Sequence, residues 1–86
     1  MLTVYKYQVP FADEFSLELP KGAVLLSYLN QFEVGCLWAL VDPTKKTELR
    51  YFRLAGTGHS LINYKLKYIG SAIFENGRLV FHLFET

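Results

Sequence analysis

The dipeptide Asn76-Gly77 separates two apolar runs, 66–75 and 78–84. Asn-Gly between such runs is the strongest short-range hairpin signal, because both residues tolerate the left-handed backbone that a two-residue hairpin turn demands. The rest of the chain repeats the rhythm. Punctuation comes every 8–15 residues, at Pro10, Pro20-Lys21-Gly22, Gly35, Asp42-Pro43, Gly56 and Gly70. That spacing is too short for helices and suits strands.

Between the stops, the residues alternate. Phe15, Leu17 and Leu19 alternate with Ser16 and Glu18, which reads as a half-buried strand. Leu49, Tyr51 and Arg53 fall on one face of a strand over 47–54, with Glu48, Arg50, Phe52 and Leu54 on the other. Leu79, Phe81 and Leu83 oppose Val80, His82 and Phe84. Residues 23–31 carry helix formers but no cap, and we read them as a strand. It pairs with 36–41 around a loop of Phe32, Glu33, Val34 and Gly35. Residues 36–41 are almost wholly apolar, which predicts a central strand buried on both faces. Gly70 is expected to bend or bulge its strand. The reading is one all-β domain over 1–86: a small antiparallel sandwich or partly closed barrel of six to seven strands.

Size makes such a domain marginal, since a chain of 86 residues buries only about 60–65% of its unfolded surface. Composition offsets this. Fully 51% of residues are hydrophobic and 16% aromatic, and each aromatic ring can bury about 150–250 Å². Self-association is a second way to cover apolar surface, and a homo-oligomer is expected. Net charge is +1 with both signs interspersed, which argues against a nucleic-acid polymer as partner. Cys36 is the one cysteine, so no intrachain disulfide and no cysteine zinc site is expected, and its simplest reading is a small buried hydrophobe. No signal peptide or membrane span is expected from the apolar runs, and a cytosolic setting follows.

Four separated segments carry a resemblance: 36–43 (CLWALVDP), 56–59 (GTGH), 68–70 (YIG) and 79–85 (LVFHLFE). In this order the chain resembles a family of small proteins of unknown function from tailed bacteriophages and prophages. Tyr5-Lys6-Tyr7 and 17–23 fit as well, so the likeness covers the whole chain. The loop Phe32-Glu33-Val34-Gly35 departs from it, being longer and more apolar. The resemblance implies an accessory protein in the host cytoplasm, of the kind that counters host defence, and no catalytic assignment or cofactor.

The nearest thing to a chemical site is Gly56-Thr57-Gly58-His59-Ser60. Its backbone N–H groups, hydroxyls and imidazole suit a phosphate, although the same glycines equally describe a plain turn. It is not a Walker motif. Arg50 and Arg53 fall on opposite faces, so at least one should be exposed, and either suits a bidentate anion clamp. Trp38 reads as core or as a stacking platform. Tyr68, with Tyr64 and Lys65, reads as a groove or oligomer contact. Asp42 reads as a turn residue, and His82 as a satisfied histidine.

Three functions follow. The first is a non-enzymatic protein that sequesters a small phosphorylated or nucleotide-like host signal through Gly56–Ser60, Arg50, Arg53, Trp38 and Tyr68. The second is an inhibitor of a bacterial host protein that docks an edge strand or the Phe32 loop. The third, a phosphoester hydrolase using His59 or His82, ranks last.

Overall fold

A computed structural model describes residues 1–62 and 65–86. Seven strands run in order: β1 (Thr3–Gln8), β2 (Glu14–Pro20), β3 (Val24–Gln31), β4 (Val34–Val41), β5 (Thr47–Gly56), β6 (Lys67–Phe74) and β7 (Leu79–Glu85). They make two antiparallel sheets, β1-β4-β3 and β2-β5-β7-β6. The sheets are not closed into a barrel, and the architecture is a small sandwich. The segment read as a strand over 23–31 is one, over Val24–Gln31.

One core joins the sheets. Leu19, Tyr28, Leu37, Val41, Phe52 and Leu83 are its largest fully buried side chains. Each contributes about 1.5–3 kcal/mol of apolar transfer energy. The period-two pattern selects the inward face in β2, β3, β4, β5 and β7, where these residues lie, whereas β1 has no fully buried residue. The sheets also meet edge to edge. Asn30 Nδ2 of β3 donates to Ile73 O of β6 at 2.8 Å. A Cβ on Gly70 would lie 3.3 Å from the Tyr28 backbone N and O, so the bare glycine lets the two edge strands approach.

Two expectations need correction. Residues 36–41 are not buried on both faces. Leu37, Ala39 and Val41 face the core, but Trp38 and Leu40 are only half-buried on the outer face of the three-stranded sheet. Among the described residues, no third sheet covers that side of β1-β4-β3. The loop between β3 and β4 is also shorter than read. Gln31 pairs with Val34, so Val34 and Gly35 belong to β4 and the turn is Phe32-Glu33 alone. Both residues sit at positive φ, 53° and 62°, as a two-residue primed turn requires.

Candidate functional site

The starts of β3 and β6 diverge enough to leave a cleft of about 210 Å³, lined by Ala23, Val24, Leu25, Arg50, Lys67, Tyr68 and Ile69. Arg50 enters from β5. Its Nε donates to Glu85 Oε2 at 2.6 Å and its Nη2 to Oε1 at 2.9 Å, while Nη1 donates to Ala23 O. The bidentate Glu85 partner raises the Arg50 pKa above its ordinary value, against a smaller effect of burial. Lys67 brings a second positive charge to the same cleft, and Tyr68 brings a phenol ring.

From Tyr68, a chain of polar contacts crosses the outer face of the four-stranded sheet. Tyr68 OH lies 2.7 Å from Ser71 Oγ, and Ser71 Oγ lies 2.7 Å from His82 Nδ1. His82 Nε2 lies 2.9 Å from Thr57 Oγ1. A bulge and the strand register explain the two links through Ser71. In a regular strand, residues three apart face opposite ways. The β6 register shifts between Tyr68 and Gly70, and that bulge returns Tyr68 to the face of Ser71. Ser71 then stands opposite His82 in the β6–β7 ladder.

The Gly56–Ser60 loop closes on itself. Gly56 N donates to His59 Nδ1 at 3.1 Å, and His59 N donates to Gly56 O at 3.0 Å. Thr57 N donates to Val80 O at 3.1 Å. A Cβ on Gly56 would sit 2.8 Å from His59 Cε1, so the glycine makes room for the ring. Gly58, at φ 86°, supplies the turn. The donors of Gly56, Thr57 and His59 thus already have acceptors within the protein.

The expectation of an exposed arginine fails. The Arg50 side chain is 17% exposed and that of Arg53 13%. β5 is an interior strand, and each guanidinium is covered by a segment remote in sequence. Arg53 Nη1 donates to Asp13 O at 3.1 Å and Nη2 to Ser60 O at 3.2 Å, which ties the loop to the sheet. The structure therefore gathers Arg50 and Tyr68 at the cleft, and joins Tyr68 through Ser71 and His82 to Thr57. Trp38 lies apart, on the other sheet beside Lys6 and Ser27. Tyr64 lies outside the described residues. Asp42 is the turn residue expected, accepting from Thr44 N at 3.0 Å and Thr44 Oγ1 at 2.6 Å, and these bonds hold its carboxyl below the usual range.

Lys67, Ser71 and Glu85 were missed. One signal was present for Ser71. Counting outward from Asn76-Gly77 pairs Phe74 with Leu79 and, three steps on, Ser71 with His82. Glu85 carried no such mark.

A second concavity lies at the far end of β6 and β7. It is an open groove of about 600 Å³ lined by Phe11, Glu33, Phe74, Glu75, Leu79 and Phe81. Phe11 packs edge-on to Phe74, with centroids 5.1 Å apart, and lies 5.3 Å from Phe81. Among the described residues no group of three His, Cys, Asp or Glu side chains is placed to hold a metal ion, and no helix is long and apolar enough to cross a membrane.

The fold and the cleft define a small all-β sandwich domain with a basic, aromatic-sided recess at the seam between its sheets. The chain belongs to DUF7352, a domain of unknown function whose family model matches residues 1–86. No curated protein and no solved structure matches it.

Proposed function

We propose that the protein is a non-enzymatic binding protein that takes up a small anionic ligand, phosphorylated or nucleotide-like, at the recess between β3 and β6. The observation that carries this reading is the convergence of Arg50, Lys67 and Tyr68 on one cleft. Arg50 is neutralised by Glu85, so Lys67 is the charge left to meet an anion, while Arg50 fixes the wall. Tyr68 offers a stacking surface on one side and its hydroxyl to the Ser71–His82–Thr57 chain on the other. A recess of about 210 Å³ suits a phosphoryl group and part of a ring. A second copy of the chain closing over it would supply the remaining wall, in keeping with the expected homo-oligomer. With the likeness to phage proteins, this reading places the protein in a bacterial host cytoplasm, sequestering a host signal.

Native mass spectrometry of the protein after exposure to a lysate of defence-activated bacteria tests the reading. The expected result is a small adduct of nucleotide-like mass that Lys67→Ala removes while circular dichroism stays unchanged. A bare protein under the same conditions, or an adduct that survives Lys67→Ala, would defeat it.

A further inference from the structure

The groove at the β6–β7 end is independent of the recess and differs from it in charge. Its floor is the ring trio Phe11, Phe74 and Phe81 with Leu79, and its rim is the two carboxylates of Glu33 and Glu75. Phe11 is 59% exposed and Leu79 41% exposed, so the floor is open to solvent. Phe32 stands beside the rim on the β3–β4 turn, 93% exposed.

The backbone around this groove is held in costly conformations. Phe32, Glu33, Glu75 and Asn76 have φ between 51° and 62°, and they are the non-glycine residues at positive φ among those described. A left-handed residue other than glycine costs about 1–2 kcal/mol, least for asparagine. Side chains enforce the arrangement. Asn30 Oδ1 accepts from Glu33 N at 2.8 Å, Asn30 Nδ2 donates to the Glu33 carboxylate, and Glu33 Oε1 accepts from Glu75 N at 2.9 Å. Strain that persists because its surroundings over-determine it marks a candidate functional surface.

We infer that this groove docks a partner protein through a peptide segment in which an aromatic or large aliphatic side chain lies next to an arginine or lysine. The apolar anchor fills the space over Phe11 and Phe81. The cation meets Glu75, whose carboxylate has no hydrogen-bond partner among the described residues, and the free lone pairs of Glu33. Arg78, the other charge on the β6–β7 loop, does not line the groove. Charge decides against a second copy as occupant. A two-fold contact would bring the same rim against itself, with Glu33 and Glu75 facing their own equivalents. An acidic rim also repels the phosphorylated ligands that suit the recess.

The test is selection of a random twelve-residue peptide library on the immobilised wild-type protein, followed by fluorescence polarisation with the synthesised consensus peptide. The expected consensus places Trp, Phe or Leu within three residues of Arg or Lys. Glu75→Gln should weaken that peptide roughly fivefold to tenfold and flatten its salt dependence. Phe11→Ala should weaken it by more than tenfold. Both positions are exposed, so the variants should fold, which circular dichroism checks. No enrichment, an acidic consensus, or binding indifferent to both changes would overturn the inference. So would a dimer in sedimentation equilibrium that Phe32→Ser dissolves, because a second copy would then hold the site.

Discussion

The β6–β7 tip turns through Asn76 and Gly77, at φ 54° and 91°, whereas the β3–β4 tip turns through Phe32 and Glu33, at φ 53° and 62°. The backbone geometry is of one kind, and the residues are not. Asn76-Gly77 enters the left-handed region with little penalty and forms its turn from local preference, although Glu75 before it, at φ 51°, has no such preference. Phe-Glu has no such preference. Its turn is imposed by Asn30 and by the Glu33 contact to Glu75, so one tip holds the other. A turn that local sequence opposes and long-range contacts enforce is the place to look for a surface kept for something other than folding.

Removing the enforcement should have the largest effect. Asn30→Ala deletes contacts to Glu33 and to Ile73 O of β6. It should lower stability by about 2 kcal/mol in denaturant titration, a figure discounted for exposure. If Asn30→Ala is silent, the β3–β4 turn is self-sufficient and the contrast between the tips collapses.

Exchanging turn residues should sharpen the contrast. Phe32→Asn places a tolerant residue at φ 53° and should raise stability by about 1 kcal/mol. Asn76→Phe should lower it by about the same amount. Thermal melts of both variants measure this directly. Opposite signs support the assignment of strain to residue type, and equal signs refute it.

This asymmetry also explains what was legible in the sequence. Asn76-Gly77, the Gly70 bulge, the strand at 23–31 and the inward faces of β2, β5 and β7 follow from local period and turn chemistry. The Phe32-Glu33 turn was read two residues too long because nothing local signals a primed turn in Phe-Glu. The candidate site was half legible. Thr57 and Tyr68 stand out as residue types, but their linkage through Ser71 and His82 depends on a bulge and a register. The Arg50–Glu85 pair joins residues 35 apart, and no alternation pattern predicts it. The aromatic groove stayed hidden because Phe11 sits in a loop, and its contact with Phe74 and Phe81 exists only after the sheet forms.

Acid should separate the tips again, more gently. Hydrogen bonds from Asn30 and from Glu75 N hold the Glu33 carboxyl below its ordinary value of 4.5. A depressed folded-state pKa means that the contribution is present above about 4.5 and lost as pH falls through the lower folded value. Protection of the Glu33 and Glu75 amides against exchange, measured by NMR relative to intrinsic rates, should therefore fall below that pH, while that of Gly77 changes less. A uniform loss of protection across both tips would show that the Glu33 contacts do not govern the difference.

The smallest effect at neutral pH should come from beneath the Phe32 tip. Tyr28 is fully buried in β3, its hydroxyl has no hydrogen-bond partner among the described residues, and a Cβ on Gly35 would lie 3.1 Å from that oxygen. An unpaired buried hydroxyl has lost its bonds to water without recovering one in the fold, a cost that phenylalanine does not carry, so Tyr28→Phe should raise stability at pH 7, by at most about 1 kcal/mol. Alkali should reveal the difference. Burial, with a smaller push from Cys36, raises the Tyr28 pKa from 10.0 to about 12. A raised folded-state value keeps the full contribution below pH 10 and loses it as pH climbs towards 12. Between those limits the wild type should lose stability that Tyr28→Phe retains, and denaturant titration at pH 7 and pH 11 measures both. Equal losses at pH 11 would mean that water reaches the hydroxyl, and that the β3–β4 end is held more loosely than its hydrogen bonds imply.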